Sequence, residues 1–141
     1  MFVPTLIQVL GEMVAKSGMP VQYGESEMLV TVKMRNGRKQ TVKMRAMHGE
    51  YGKYTVLRLQ SRVCIAQGAP MIRAALKANA DADWGAYALD TSVNPPLVDV
   101  VYGYVTTPQC ELVPRDLFTA LQRVAAVADA AEQHTTGGDV F

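Results

Sequence analysis

The side chains able to do chemistry in this chain are few, and most of them are cations. Nine of the fourteen Lys and Arg residues lie between Lys33 and Arg62, where Glu50 is the one acid. The remainder holds five basic against twelve acidic residues, so a net charge of +1 conceals a strongly polarised distribution. Lys33 and Arg35, Lys43 and Arg45, and Arg58 and Arg62 recur at even spacing. On a strand, even spacing gathers side chains on one face. Such a face offers electrostatic docking, either of an acidic protein segment or of nucleic-acid phosphates. The plainer alternative is a solvated face whose cations discourage edge-to-edge association of the sheet. Tyr51 and Tyr54 lie nearby and could stack on bases, but no RNP-like aromatic pattern or helix-turn-helix accompanies the charges. An acidic protein is therefore the favoured partner and nucleic acid the alternative.

The remaining candidates converge poorly. His48 and His134 are far apart and have no Cys or carboxylate at ligand spacing. Asn79, Asp81, Asp83 and Asp90 fall at positions 1, 3, 5 and 12 of an EF-hand count. Position 6, which needs Gly for its sharp turn, is Trp84, and no bidentate Glu closes the loop. Asn79 reads instead as a helix-terminal residue that satisfies nearby backbone groups. Cys64 stands two residues from Arg62, and a neighbouring cation can lower a thiol pKa. A small residue on a strand is much the better account of it. No G-x-S-x-G, Walker or dinucleotide fingerprint is present. The expectation is a binding protein without catalytic residues, cofactor or metal.

The elements that must position these cations follow from patterning. At 141 residues, 49% apolar and 19% charged, the chain reads as one domain over 1–134 with a flexible tail over 135–141. Cys64 and Cys110 form no CxxC motif, which suits a reduced cytoplasmic setting. The first sixteen residues lack a basic n-region and read as an amphipathic helix, with Leu6, Val9, Leu10, Met13 and Val14 on one side. No apolar run approaches the roughly 20 residues that span a bilayer.

A short extended piece at 21–23 precedes a strand over 27–35, whose Met28, Val30, Val32 and Met34 alternate with Thr31, Lys33 and Arg35. Asn36-Gly37 predicts a two-residue hairpin turn. The return strand covers 38–47, a loop 48–53, and a third strand 54–65. A helix over 70–80 places Ile72, Ala75 and Leu76 inward. Strands over 84–90 and 97–106 flank Asn94-Pro95-Pro96, and a last helix runs from Pro114 to about His134, with Leu117, Leu121, Val124 and Ala128 inside. The result is an α+β chain of α-βββ-α-ββ-α order. Its antiparallel sheet packs against helices on one face and leaves the other polar. Met28, Met34, Met44 and Met71 are expected in the core, although methionine also serves adaptable binding surfaces.

The second half carries a recognisable series. Met71-Ile72, Leu76 and Asn79 lead into Trp84-Gly85-x-Tyr87-Ala88-Leu89-Asp90. Then come a strand, Leu112-Val113-Pro114, and a helix ending in Val124-Ala125 and Ala128-Asp129. This series resembles the YbjN family of bacterial proteins, similar in fold to type III secretion chaperones. The resemblance implies a small, non-enzymatic, cytoplasmic domain, often dimeric, that binds or regulates other proteins, and it brings no catalytic set. Self-association would bury part of the second hairpin or the second helix.

Overall fold

The computed structural model describes residues 10–24, 27–48, 55–66, 68–81, 85–106 and 114–136. Its elements are α1 (residues 10–16), β1 (Val21–Tyr23), β2 (Glu27–Lys33), β3 (Lys39–His48), β4 (Thr55–Ile65), α2 (Ala69–Asp81), β5 (Ala86–Asp90), β6 (Leu97–Thr106) and α3 (Pro114–Thr136). The strands form one sheet in the order β1-β2-β3-β4-β6-β5, every neighbouring pair antiparallel. The expected meander and second hairpin are thus one continuous sheet, because β6 pairs with β4 and leaves β5 outermost. The short piece at 21–23 is the opposite edge strand.

Alternation decides which side is dry. Met28, Val30 and Val32 of β2, Val42 and Met44 of β3, and Leu57, Leu59 and Val63 of β4 all point to one face and are buried. Helix α3 lies across that face with Leu117, Ala120, Leu121, Val124, Ala125 and Ala128 buried against it. Each large apolar side chain so buried contributes about 1.5–3 kcal/mol. Leu10 and Val14 of α1 complete the core, and Tyr23 lies over Gly11 where a Cβ would overlap its ring. Met28 and Met44 are fully buried, while Met34 and Met71 pack half-buried at its margin. Leu6 and Val9, residues 49–54, Trp84, Cys110, Leu112-Val113 and residues 137–141 lie outside the described residues, and His48, expected to open a loop, is the last residue of β3.

Three expectations change in detail. The β2–β3 turn is a three-residue loop. Met34 N–H donates to the Arg38 carbonyl at 2.7 Å, Gly37 N–H to the Met34 carbonyl at 3.0 Å, and Gly37 takes φ 83°. Arg35 therefore sits in the turn, beyond the end of β2. Helix α2 buries none of its residues, and Leu76 is 62% exposed. The reason is positional: α3 already fills the core face, so α2 is displaced to the β5 edge. Asn79 acts at longer range than a cap. Its side-chain amide donates to the Tyr87 carbonyl at 2.9 Å and accepts from Tyr87 N–H at 2.6 Å, imitating a neighbouring strand along the open edge of β5. Asn94-Pro95 is a cis peptide in the β5–β6 connection.

Two buried polar links extend the sheet beyond its ladders. The registered β3–β4 pairing stops at Lys43–Gln60 towards the hairpin tip. There Gln40 Nε2 donates to Ser61 Oγ at 2.9 Å and to the Arg62 carbonyl at 3.0 Å, and Ser61 Oγ donates to the Thr41 carbonyl at 2.7 Å. At the tip itself, Arg38 Nε donates to Asp129 Oδ1 of α3 at 2.8 Å. Replacing Asn79 with Ala strands both backbone groups of Tyr87. The expected loss is about 1–3 kcal/mol in chemical denaturation, with faster amide exchange confined to β5; unchanged exchange at Tyr87 would show that water replaces the clamp.

Candidate polar face of the sheet

The uncovered face carries the other half of each alternation: Glu27, Leu29, Thr31 and Lys33 on β2; Lys39, Thr41, Lys43 and Arg45 on β3; Arg58, Gln60 and Arg62 on β4; Asp99 and Val101 on β6; Ala88 and Asp90 on β5. Register places these residues in rows across the strands. One row runs Glu27, Arg45, Arg58, Gly103, and the next runs Leu29, Lys43, Gln60, Val101.

Five of the six expected site residues share this face, in two groups. Lys43, Arg45, Arg58 and Arg62 lie together at its centre. Lys33 stands six residues along β2 from Glu27, about 20 Å at strand rise, and lies directly opposite Lys39. Arg35, in the turn, belongs to neither row. Of the other cations in the basic stretch, Arg38 is committed to Asp129.

The central group is not purely basic. Lys43 Nζ approaches Glu27 Oε2 at 4.0 Å, and Arg62 Nη2 approaches Asp90 Oδ2 at 3.8 Å. Arg45 and Arg58 face each other across the β3–β4 ladder, and neither has a carboxylate within ion-pair distance among the described residues. Like charges directly opposite on neighbouring strands repel. The pair lines a cavity of about 300 Å³ with Lys43, Gln60, Asp90 and Asp99.

Asp99 is the residue that sequence reasoning missed. It has no accessible surface, its Oδ2 accepts a hydrogen bond from Gln60 Nε2, and its Oδ1 has no partner. Burial pushes its carboxyl above the ordinary carboxylate range and nearby Asp90 adds to the rise, while the Gln60 hydrogen bond, Arg62 and Lys43 pull it down. Asp90 moves the other way: hydrogen bonds from the Ser92 hydroxyl, at 2.5 Å, and backbone hold its carboxyl below the usual value, with Arg62 and Lys43 assisting. In sequence, Asp99 is one acid inside the run Leu97-Val98-Asp99-Val100-Val101. That position is the available signal for a buried carboxylate.

The other candidates disperse. Cys64 is buried, with Sγ 3.7 Å from Met71 Sδ of α2, where the β4–β6 register shifts between Arg62 and Cys64. His134 is exposed on α3. Among the described residues no group of three His, Cys, Asp or Glu could hold a metal, and no helix is long and apolar enough to cross a membrane. Asp83 lies outside the described residues, and Asn79 is committed to Tyr87.

One six-stranded antiparallel sheet, with a C-terminal helix on its dry face and a helix clamped to its edge, defines an α+β fold of the YbjN type. The crystal structure of YbjN from E. coli, provisionally described as a transcription regulator, matches with a TM-score of 0.60 over 97% of this chain and 96% of that one, at 12% identity. No family model and no curated protein matches the sequence.

The folded state holds the Asp99 proton more tightly than the unfolded chain does. Stability due to this group is therefore full below its unfolded pKa and falls as pH rises through its folded pKa. Asp99→Asn removes the buried charge and keeps the shape. It is expected to raise stability near neutral pH by about 1 kcal/mol, with the gain vanishing below about pH 4, in thermal melts across that range. A variant less stable at neutral pH would mean that the ionised carboxylate is favourable in the folded protein.

Proposed function

We propose that this protein is a non-enzymatic adaptor or chaperone-like module that captures an acidic segment of another protein on the open face of its sheet. The observation that carries the reading is the opposed Arg45–Arg58 pair: Glu27 lies opposite Arg45 and Asp90 and Asp99 line the same cavity, yet among the described residues neither guanidinium is within ion-pair distance of a carboxylate, whereas Lys43 and Arg62 are. A carboxylate placed between two guanidiniums converts their mutual repulsion into charge-assisted hydrogen bonds. Favouring a protein over nucleic acid, Glu27, Asp90 and Asp99 are interleaved with the cations and would repel a continuous line of phosphates. A cytoplasmic adaptor working through protein contacts is also compatible with the provisional description of YbjN.

The exposed apolar side of α2 supports a second element of the proposal, a homodimer. Leu76 is 62% and Leu89 43% exposed, and they flank a shallow apolar hollow with Ile72, Ala75 and Val98. A helix with no buried residue of its own gains its dry face from a second copy.

An end-blocked, Glu-rich probe peptide titrated at low salt is expected to bind the parent protein. The double variant Arg45→Ser and Arg58→Ser should weaken that binding by about tenfold or more without lowering Tm, because a repulsive pair is removed. Unchanged binding would overturn the reading. Tighter, steeply salt-dependent binding of duplex DNA by the same residues would put nucleic-acid recognition in its place.

Sedimentation tests the dimer separately. Leu76→Glu is expected to give a folded monomer where the parent is dimeric, and a monomeric parent at high micromolar concentration would dismiss self-association.

A further inference from the structure

The open face holds a second cavity beside the cationic one. It measures about 360 Å³ and is lined by Glu27, Leu29, Thr41, Lys43, Gln60 and Arg62. Leu29 is the one apolar member of the open-face set on β2, and it lies directly opposite Lys43. The methylene stems of Lys43 and Arg62 extend its apolar surface, since long basic side chains bury their stems and keep their heads wet. The two cavities share Lys43 and Gln60, which are partners in the β3–β4 ladder. One ridge of two side chains therefore separates an apolar hollow from a cationic hollow.

The register gives the spacing. The Leu29–Lys43–Gln60 row lies two residues along the strands from the Arg45–Arg58 row, or about 7 Å at strand rise. An extended peptide presents residues i and i+2 on one side at the same interval. We infer that the two hollows read a partner segment in extended conformation, in which an apolar side chain stands two residues from an acidic one, the first seated over Leu29 beside the Lys43–Gln60 ridge and the second between Arg45 and Arg58. This inference rests on the acidic-partner reading and adds an apolar requirement to it. A polyphosphate has no side chain for the hollow over Leu29.

Three end-blocked, fluorescein-labelled decapeptides on a Ser background test it by anisotropy: one with Leu and Glu two residues apart, one with that Leu replaced by Ser, and one with that Glu replaced by Gln. The first is expected to bind about tenfold or more tighter than either control, through burial of one leucine against the second and charge-assisted hydrogen bonds of one carboxylate against the third. Leu29→Ser should erase the advantage over the Leu-less peptide and leave the binding of that peptide unchanged. Thr41→Trp, at an exposed position, should do the same by filling the hollow, so a folding defect in one variant does not decide the result. Equal binding of the first two peptides overturns the inference and leaves the acidic reading standing. Failure of all three overturns both. Equal binding of the first and third peptides removes the requirement for the acid and sinks both as well.

Discussion

The rest of the structure depends on the packing of α3 across one face of the sheet. Once Leu117, Leu121 and Val124 lie over Val30, Met44 and Leu59, every strand beneath them must send alternate residues into a dry layer and the others into water. A shift of one residue in any central strand would drive Lys43 or Arg58 into that layer. The charge distribution of the open face is therefore a consequence of the core and needs no separate device to hold it. Helix α3 also makes α2 peripheral, because no dry surface is left for a second long helix.

That dependence explains how much the sequence discloses. Period-two alternation from Met28 to Ile65 is strong, and it carries the strands, their faces and the placement of Lys43, Arg45, Arg58 and Arg62. The 3.6-residue period of the last helix carries its inner face in the same way. Single residues whose role depends on a distant element are less legible. Asp129 sits on the core side of α3 because Arg38 meets it from a hairpin tip, and nothing local to either residue announces the other. Gln40 reads as an ordinary polar strand residue, yet it is buried because the β3–β4 ladder ends beside it. Leu76 follows a helical apolar pattern correctly and is nevertheless exposed, since periodicity reports which side is apolar and not what covers it. Asn36-Gly37 identifies the turn, but loop length depends on how the flanking strands pair, so Arg35 leaves the strand.

The polar face combines opposed tendencies at short range. Arg45 and Arg58 are held together by a ladder whose stability comes from the buried face behind them. Asp99 is held in a dry position by the pairing of β6 with β4 on one side and β5 on the other. Both arrangements are unfavourable taken alone and persist because the sheet over-determines them. The sheet fixes the strand positions of these charges, and only the arginine side chains are left to order.

Chain order gives the α3 packing a consequence for synthesis. All six strands precede the helix that covers them, and the Arg38–Asp129 contact joins residues 91 positions apart. A growing chain can pair β2, β3 and β4 early, but the resulting sheet shows Met28, Val30, Met44, Leu57 and Leu59 to solvent until α3 has left the ribosome. The nascent protein therefore passes through a stage in which its own sheet is an exposed hydrophobic surface.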